Sequence, residues 1–197
     1  MVNPIVLIAP ARHKHCAKVI YIILLVLAGG FMTTTNAVPV KDANWILQAN
    51  WRVINDAVMG GMSQSTIKQH KNHLNFSGII SLENNGGFAS TRSELTLDTH
   101  KKDKLNITVK GDDKVYQLRL RVDRYFDGPA FVVEFIAKSS QWTSYEFSAD
   151  DFTLQFRGKP FASDYQLNFS DLTTIGFLIS SQQQGEFSLN IKKITFD

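Results

Sequence analysis

The sequence predicts an all-β fold, a β-sandwich of jelly-roll type, on three observations. Apolar residues recur with period two after residue 40, turn-forming residues separate the alternating runs, and helical periodicity is nearly absent there. Leu74, Phe76, Ile80 and Leu82 form the first inward set, interrupted by Gly78. Leu105, Ile107 and Val109 form the next. The clearest case runs over 115–123: Tyr116, Leu118, Leu120 and Val122 point one way, Gln117, Arg119 and Arg121 the other. Stretches 130–137 and 175–179 are continuously apolar and suit central strands covered on both faces. Thr143, Tyr145 and Phe147, then Phe152, Leu154 and Phe156, then Phe187, Leu189 and Ile191 complete the series. Between them lie Asn84-Asn85-Gly86-Gly87, Lys110-Gly111-Asp112-Asp113, Phe126-Asp127-Gly128-Pro129 and Gln182-Gln183-Gln184-Gly185, all turn chemistry. One domain from 44 to 197 is the economical reading.

The 197 residues carry a formal net charge of +3, and that charge has a location. Arg12, Lys14 and Lys18 precede an apolar run at Val19, and no acidic residue precedes Asp42. From Val38 onward, 18 Lys and Arg balance 18 Asp and Glu. Recruitment to nucleic acid needs a net basic domain, so no nucleic-acid partner is expected.

Residues 1–37 read as a leader. Arg12 to Lys18 form a basic region, Val19 to Ala28 an apolar block, and Thr35-Asn36-Ala37 supplies small residues for cleavage after Ala37. The leader engages the membrane during export, which predicts a periplasmic or secreted protein. An uncleaved anchor is the alternative, but the 14 residues from Val19 to Met32 fall short of the roughly 20 that span hydrocarbon. An organellar targeting peptide is the third reading. The single cysteine, Cys16, lies within this leader, so the exported portion has neither disulfides nor a thiolate nucleophile.

Recognisable catalytic patterns are missing from the sequence. There is no Gly-x-Ser-x-Gly elbow, phosphate-binding loop or His-Glu-x-x-His. His70 and His73 sit in a polar segment that reads as a solvated loop rather than a metal pair. The adjacent carboxylates Asp112/Asp113 and Asp150/Asp151 lie in turns, where neighbours on an extended chain face opposite ways. No enzyme activity, cofactor or metal is expected.

Two segments stand out. In 51–65, Gly60-Gly61 permits a tight turn among the polar residues Asn55, Asp56, Ser63 and Gln64. In 82–92, Asn84-Asn85-Gly86-Gly87 carries an Asn-Gly step, a local hairpin signal. Together they predict loops framing one rim of the sandwich, either as a binding surface or as turns that set strand register.

Asn55-Asp56-Ala57-Val58-Met59-Gly60-Gly61-Met62-Ser63, then Phe76-Ser77-Gly78, Glu83 through Arg92, and Gly111-Asp112 resemble the complex I intermediate-associated protein 30 family. Phe156-Arg157-Gly158-Lys159, Ile175 to Ile179 and Gly185 to Ile191 follow in the family's order. The resemblance implies a galactose-binding-like sandwich and a role as an assembly factor that holds protein intermediates without doing chemistry. A carbohydrate-binding module of the cell envelope is the alternative, with Trp51, Trp142, Tyr125 or Tyr145 as aromatic platform. The partner is thus a protein or a glycan, and Arg119, Arg121 and Arg124 are further charges placed to meet it.

The candidate binding residues are Asn55, Asp56, Gly60, Gly61, Ser63, Asn84, Asn85, Arg92, Asp112 and Arg157. Asn55 and Asp56 are expected to bond the amides of the Gly60-Gly61 turn or to face a ligand. Arg92 and Arg157 are expected to be paired cations. Arg157 in particular is expected in a buried ion pair with Asp56 or Asp112, so that Arg157→Ala lowers the melting temperature.

Overall fold

A computed structural model describes residues 45–125, 128–180 and 183–197. The expected leader, and Phe126, Asp127 and Gln182 of the expected turns, lie outside the described residues.

The described chain opens with one helical turn, α1 (Trp45–Gln48), and then forms twelve strands. They are β1 (Arg52–Asn55), β2 (Gln64–Gln69), β3 (Leu74–Ile80), β4 (Ala89–Glu94), β5 (Leu105–Lys110) and β6 (Val115–Arg121). The series continues with β7 (Ala130–Ile136), β8 (Thr143–Phe147), β9 (Thr153–Phe156), β10 (Lys159–Pro160), β11 (Thr174–Ile179) and β12 (Gly185–Phe196). They form two antiparallel sheets. The seven-stranded sheet has the order β1-β4-β11-β6-β7-β9-β10, and the five-stranded sheet β2-β3-β12-β5-β8. The chain moves repeatedly between sheets, which is the predicted jelly-roll sandwich.

Most of the alternating residues meet between the sheets as expected, but Leu82 lies beyond the end of β3 and is exposed. Phe76, Leu105, Ile107, Leu189 and Ile191 from the smaller sheet and Tyr116, Leu118, Phe177 and Ile179 from the larger are fully buried. At about 25 cal/mol per Å² of apolar surface removed from water, this layer is the main stabilising contribution, since the described part of the chain has no cysteine. The continuously apolar 175–179 stretch is central β11, with every residue from Thr174 to Ile179 buried.

Two expectations fail on connectivity. The Asn-Gly step at Asn85-Gly86 does not close a hairpin: β3 belongs to the smaller sheet and β4 to the larger, so this segment is a crossover between sheets. A two-residue hairpin turn requires the flanking strands to pair, and these do not. The segment also ends at Phe88. Ala89 through Arg92, read as loop, belong to strand β4, which pairs with β1 on one side and β11 on the other.

Candidate functional site: the rim built on Asp56

The site grows from one carboxylate. Asp56 follows β1 directly and opens a 3-10 turn, Asp56–Met59. Its side chain is completely buried. Oδ1 accepts the backbone N–H of Ser63 at 3.0 Å. Oδ2 accepts the Ser63 hydroxyl at 2.5 Å, the Gly87 N–H at 2.6 Å and the Phe88 N–H at 3.2 Å. Four donors therefore converge on one buried anion, and no cation pairs with it among the described residues. Burial alone would push the Asp56 carboxyl up, but the bonds from Ser63, Gly87 and Phe88 outweigh it and hold the group below its ordinary value of 3.8.

The carboxylate also explains the two glycine pairs. One member of each supplies a left-handed backbone: Gly60 has φ +88° and Gly87 φ +127°. The other member gives room to the anion. A Cβ on Gly61 would lie 2.4 Å from the Asp56 carboxyl carbon, and one on Gly86 would lie 2.6 Å from Oδ2. Asn84 braces the joint by donating Nδ2–H to the Gly60 carbonyl at 3.2 Å. Ser63 extends the joint to the residue that follows β3, its Oγ accepting the Ser81 N–H at 3.0 Å.

Of the ten candidate residues, the structure thus gathers Asp56, Gly60, Gly61, Ser63 and Asn84 at one point. Asp56 does not bond the Gly60-Gly61 amides through its side chain; its backbone carbonyl accepts Gly61 N–H at 3.0 Å, and the carboxylate reaches the second loop instead. Asn55 stands beside the cluster, its Oδ1 accepting the Ser65 hydroxyl at 2.6 Å. Asn85 is exposed with φ +58° and serves the crossover turn.

The remaining three lie elsewhere. Asp112 organises its own cluster, accepting the Tyr116 hydroxyl at 3.0 Å and the Ser188 N–H at 2.9 Å, with Lys114 Nζ at 3.5 Å. Burial, then the Asp112 charge, raises the Tyr116 phenol. Arg92 is buried on β4, away from the loops. Arg157 contradicts its expected ion pair. It is exposed at φ +51° and, with Gly158 at φ +75°, makes the two-residue turn of the β9–β10 hairpin. Its guanidinium rests 5.2 Å from the Phe156 ring centroid. Two positive φ values are what a type I′ turn demands, and such a turn projects its side chains into solvent, out of reach of Asp56 and Asp112.

The aromatic platforms are mostly committed. Trp51 donates its indole N–H to the Ile46 carbonyl and packs against Trp45 and Phe177. Tyr145 donates its hydroxyl to the Ile136 carbonyl and packs between Phe135 and Phe147. Trp142 is partly exposed but contacts His73 by its edge and Lys192 by its face. Tyr125 is exposed.

Sequence reasoning missed what the rim presents. Val58, Met59 and Met62 are 74%, 66% and 53% exposed. They sit on the loop that Asp56 pins, and the signal was available: three apolar residues where no alternation calls for them. Beside them lies an open depression of about 460 Å³ lined by Asn55, Gln64, Ser65, Thr66, Ser77, Gly78 and Ile79.

Two antiparallel sheets, between which the chain repeatedly crosses, define the protein as a jelly-roll β-sandwich. The chain is similar to the family 11 carbohydrate-binding module of the cellulosomal cellulase Lic26A-Cel5E of Clostridium thermocellum, with TM-score 0.56 and 18% identity over 75% of this chain and 86% of that one. It is similarly close to a Clostridium thermocellum family 11 module in complex with a β-1,3-1,4-mixed-linked tetrasaccharide, with TM-score 0.55 and 16% identity over 79% and 92%. These likenesses establish the fold. The chain belongs to the complex I intermediate-associated protein 30 (CIA30) family, which its residues 41–191 match. No curated protein matches it.

Proposed function

We propose that this chain is a non-catalytic, exported domain that holds a protein partner on the rim built around Asp56. One observation carries the reading: a fully buried carboxylate uses four hydrogen bonds to lock two loops, and the locked loop turns Val58, Met59 and Met62 toward solvent. A rigid loop loses little entropy on docking, and methionine adapts its shape to a partner's surface. The family's description, an association with intermediates of complex I, supports a protein as the occupant. The basic and then apolar leader supports export of the domain.

Glycan binding is favoured by the hydroxyl and amide groups lining the neighbouring depression. Sugar sites also use aromatic faces, however, and no aromatic residue lines that depression.

The test is photo-crosslinking from position 59 in the full chain within its own cells, alongside a glycan array with purified protein. The expected result is a discrete protein adduct, lost in Val58→Ser/Met62→Ser while the melting temperature stays within about 2 °C of wild type. Glycan binding without a protein adduct would replace this reading with the sugar-binding one.

A further inference from the structure

The outer face of the larger sheet carries a feature that the rim does not explain. Tyr116, Leu118 and Leu120 of β6 face the core, so Arg119 and Arg121 face outward. Register then assembles a row across the sheet: Arg52 of β1 pairs with Arg92 of β4, Arg92 with Gly176 of β11, and Gly176 with Arg119. Gly176 lies between the two buried arginines and lets the Arg92 side chain pass close over it; a Cβ there would lie 3.0 Å from Arg92 Cγ and 2.6 Å from the Thr91 carbonyl oxygen.

Arg52, Arg92 and Arg121 are each engaged within the chain. Arg119 differs. It is 7% exposed, and its Nη1 donates to Gln117 Oε1 at 2.8 Å. Gln117 is itself oriented across the strands by donating Nε2–H to Glu134 Oε1 at 3.0 Å. Nε of Arg119 is buried with no hydrogen-bond partner, and no carboxylate pairs with Arg119 among the described residues. Burial, and then the charge of Arg92, lowers the Arg119 guanidinium to about 10. A buried cation beside a like charge, held only by a neutral amide, is a costly arrangement unless an anion completes it.

Engaging Nη1 leaves the other edge of the guanidinium, where the Nε and Nη2 N–H bonds run parallel. That edge is the fork that takes two oxygens of one oxyanion. We propose that this face binds a small ligand through a carboxylate or phosphate group, seated on the Nε edge of Arg119 next to Arg92. The amide of Gln117, turned by Glu134, holds the guanidinium in the plane that the oxyanion needs. The exposed end of the row at Arg52 marks the approach. The proposal is independent of the rim.

The test is the melting temperature of the full chain against inorganic phosphate and against glucuronate, each matched in ionic strength with chloride. A ligand bound only by the folded state raises stability as the logarithm of its concentration. One of the two anions is expected to raise it beyond chloride with this logarithmic dependence, and the effective one identifies the group. Arg119→Met is expected to weaken the response at least tenfold while keeping the fold. The paired exchange Gln117→Glu with Glu134→Gln retains the cross-strand bond and net charge but places a carboxylate on Arg119. It is expected to raise the melting temperature without added anion and to remove the response. Absence of any response beyond chloride in the wild type, or an undiminished response in the exchange variant, overturns the proposal.

Discussion

Asp56 and Arg119 are both buried ionisable groups, 0% and 7% exposed, yet their surroundings are opposite. Asp56 has no counter-charge and needs none, because three backbone N–H groups and one hydroxyl converge on it. Arg119 meets one neutral oxygen and a neighbouring like charge. The first charge is satisfied by the fold and so belongs to the architecture. The second is left incomplete by the fold and so has capacity for something from outside. Burial alone does not separate a structural charge from a binding one; the count of its partners does.

The largest expected effect tests the satisfied side. Asp56→Ala orphans the N–H groups of Ser63, Gly87 and Phe88 and is expected to cost about 3 kcal/mol or more in urea denaturation at neutral pH. The same carboxylate sets an acid limit. Its folded value lies below 3.8, so its contribution is fully present above that pH and is lost as pH falls through the folded value. Stability measured from pH 5 to pH 2 is expected to fall more steeply in the wild type than in Asp56→Asn, which lacks that carboxylate.

Glycine substitutions sharpen the same comparison within one loop. Gly61→Ala drives a methyl group against the carboxylate and is expected to cost about 1–3 kcal/mol. Gly60→Ala meets open space and only a positive φ, so about 1 kcal/mol is expected. If the two cost the same, the glycine pair serves the turn alone and not the anion.

The incomplete side predicts the opposite sign. Arg119→Met removes a buried cation whose charge the fold opposes, and is expected to raise stability by about 1 kcal/mol in the absence of anions. Arg157→Ala should change it least, within about 0.5 kcal/mol, because the side chain stands in solvent at a hairpin tip. A large loss there would revive the ion pair that the hairpin geometry argues against.

Much of the sandwich was legible because alternation is local. Leu105 to Val109, Tyr116 to Leu120 and Phe187 to Ile191 announce which side chains are buried without reference to any partner strand. Strand β4 was not legible. Ala89, Ser90, Thr91, Arg92 and Ser93 are all buried but small or polar, since β4 satisfies β1 through its side chains: Ser90 Oγ donates to the Ile54 carbonyl and Thr91 Oγ1 to that of Arg52. Hydroxyls that cap a neighbouring strand look like loop chemistry in a sequence. The rim was legible as a place, through its glycines, but not as a mechanism.

By itself the sequence determined the all-β class, the inward set of side chains, the neutral charge of residues 38–197 and the family. These follow from period, composition and order along the chain, which need no knowledge of what lies opposite. Only the tertiary structure decided that Asp56 closes on Gly87 and Phe88, that Gly61 and Gly86 are there to admit its oxygens, and that Arg92 and Arg119 face each other across Gly176. Each of these depends on strand register and on a crossover between sheets. A shift of one residue in register would have turned every one of those side chains to the other face.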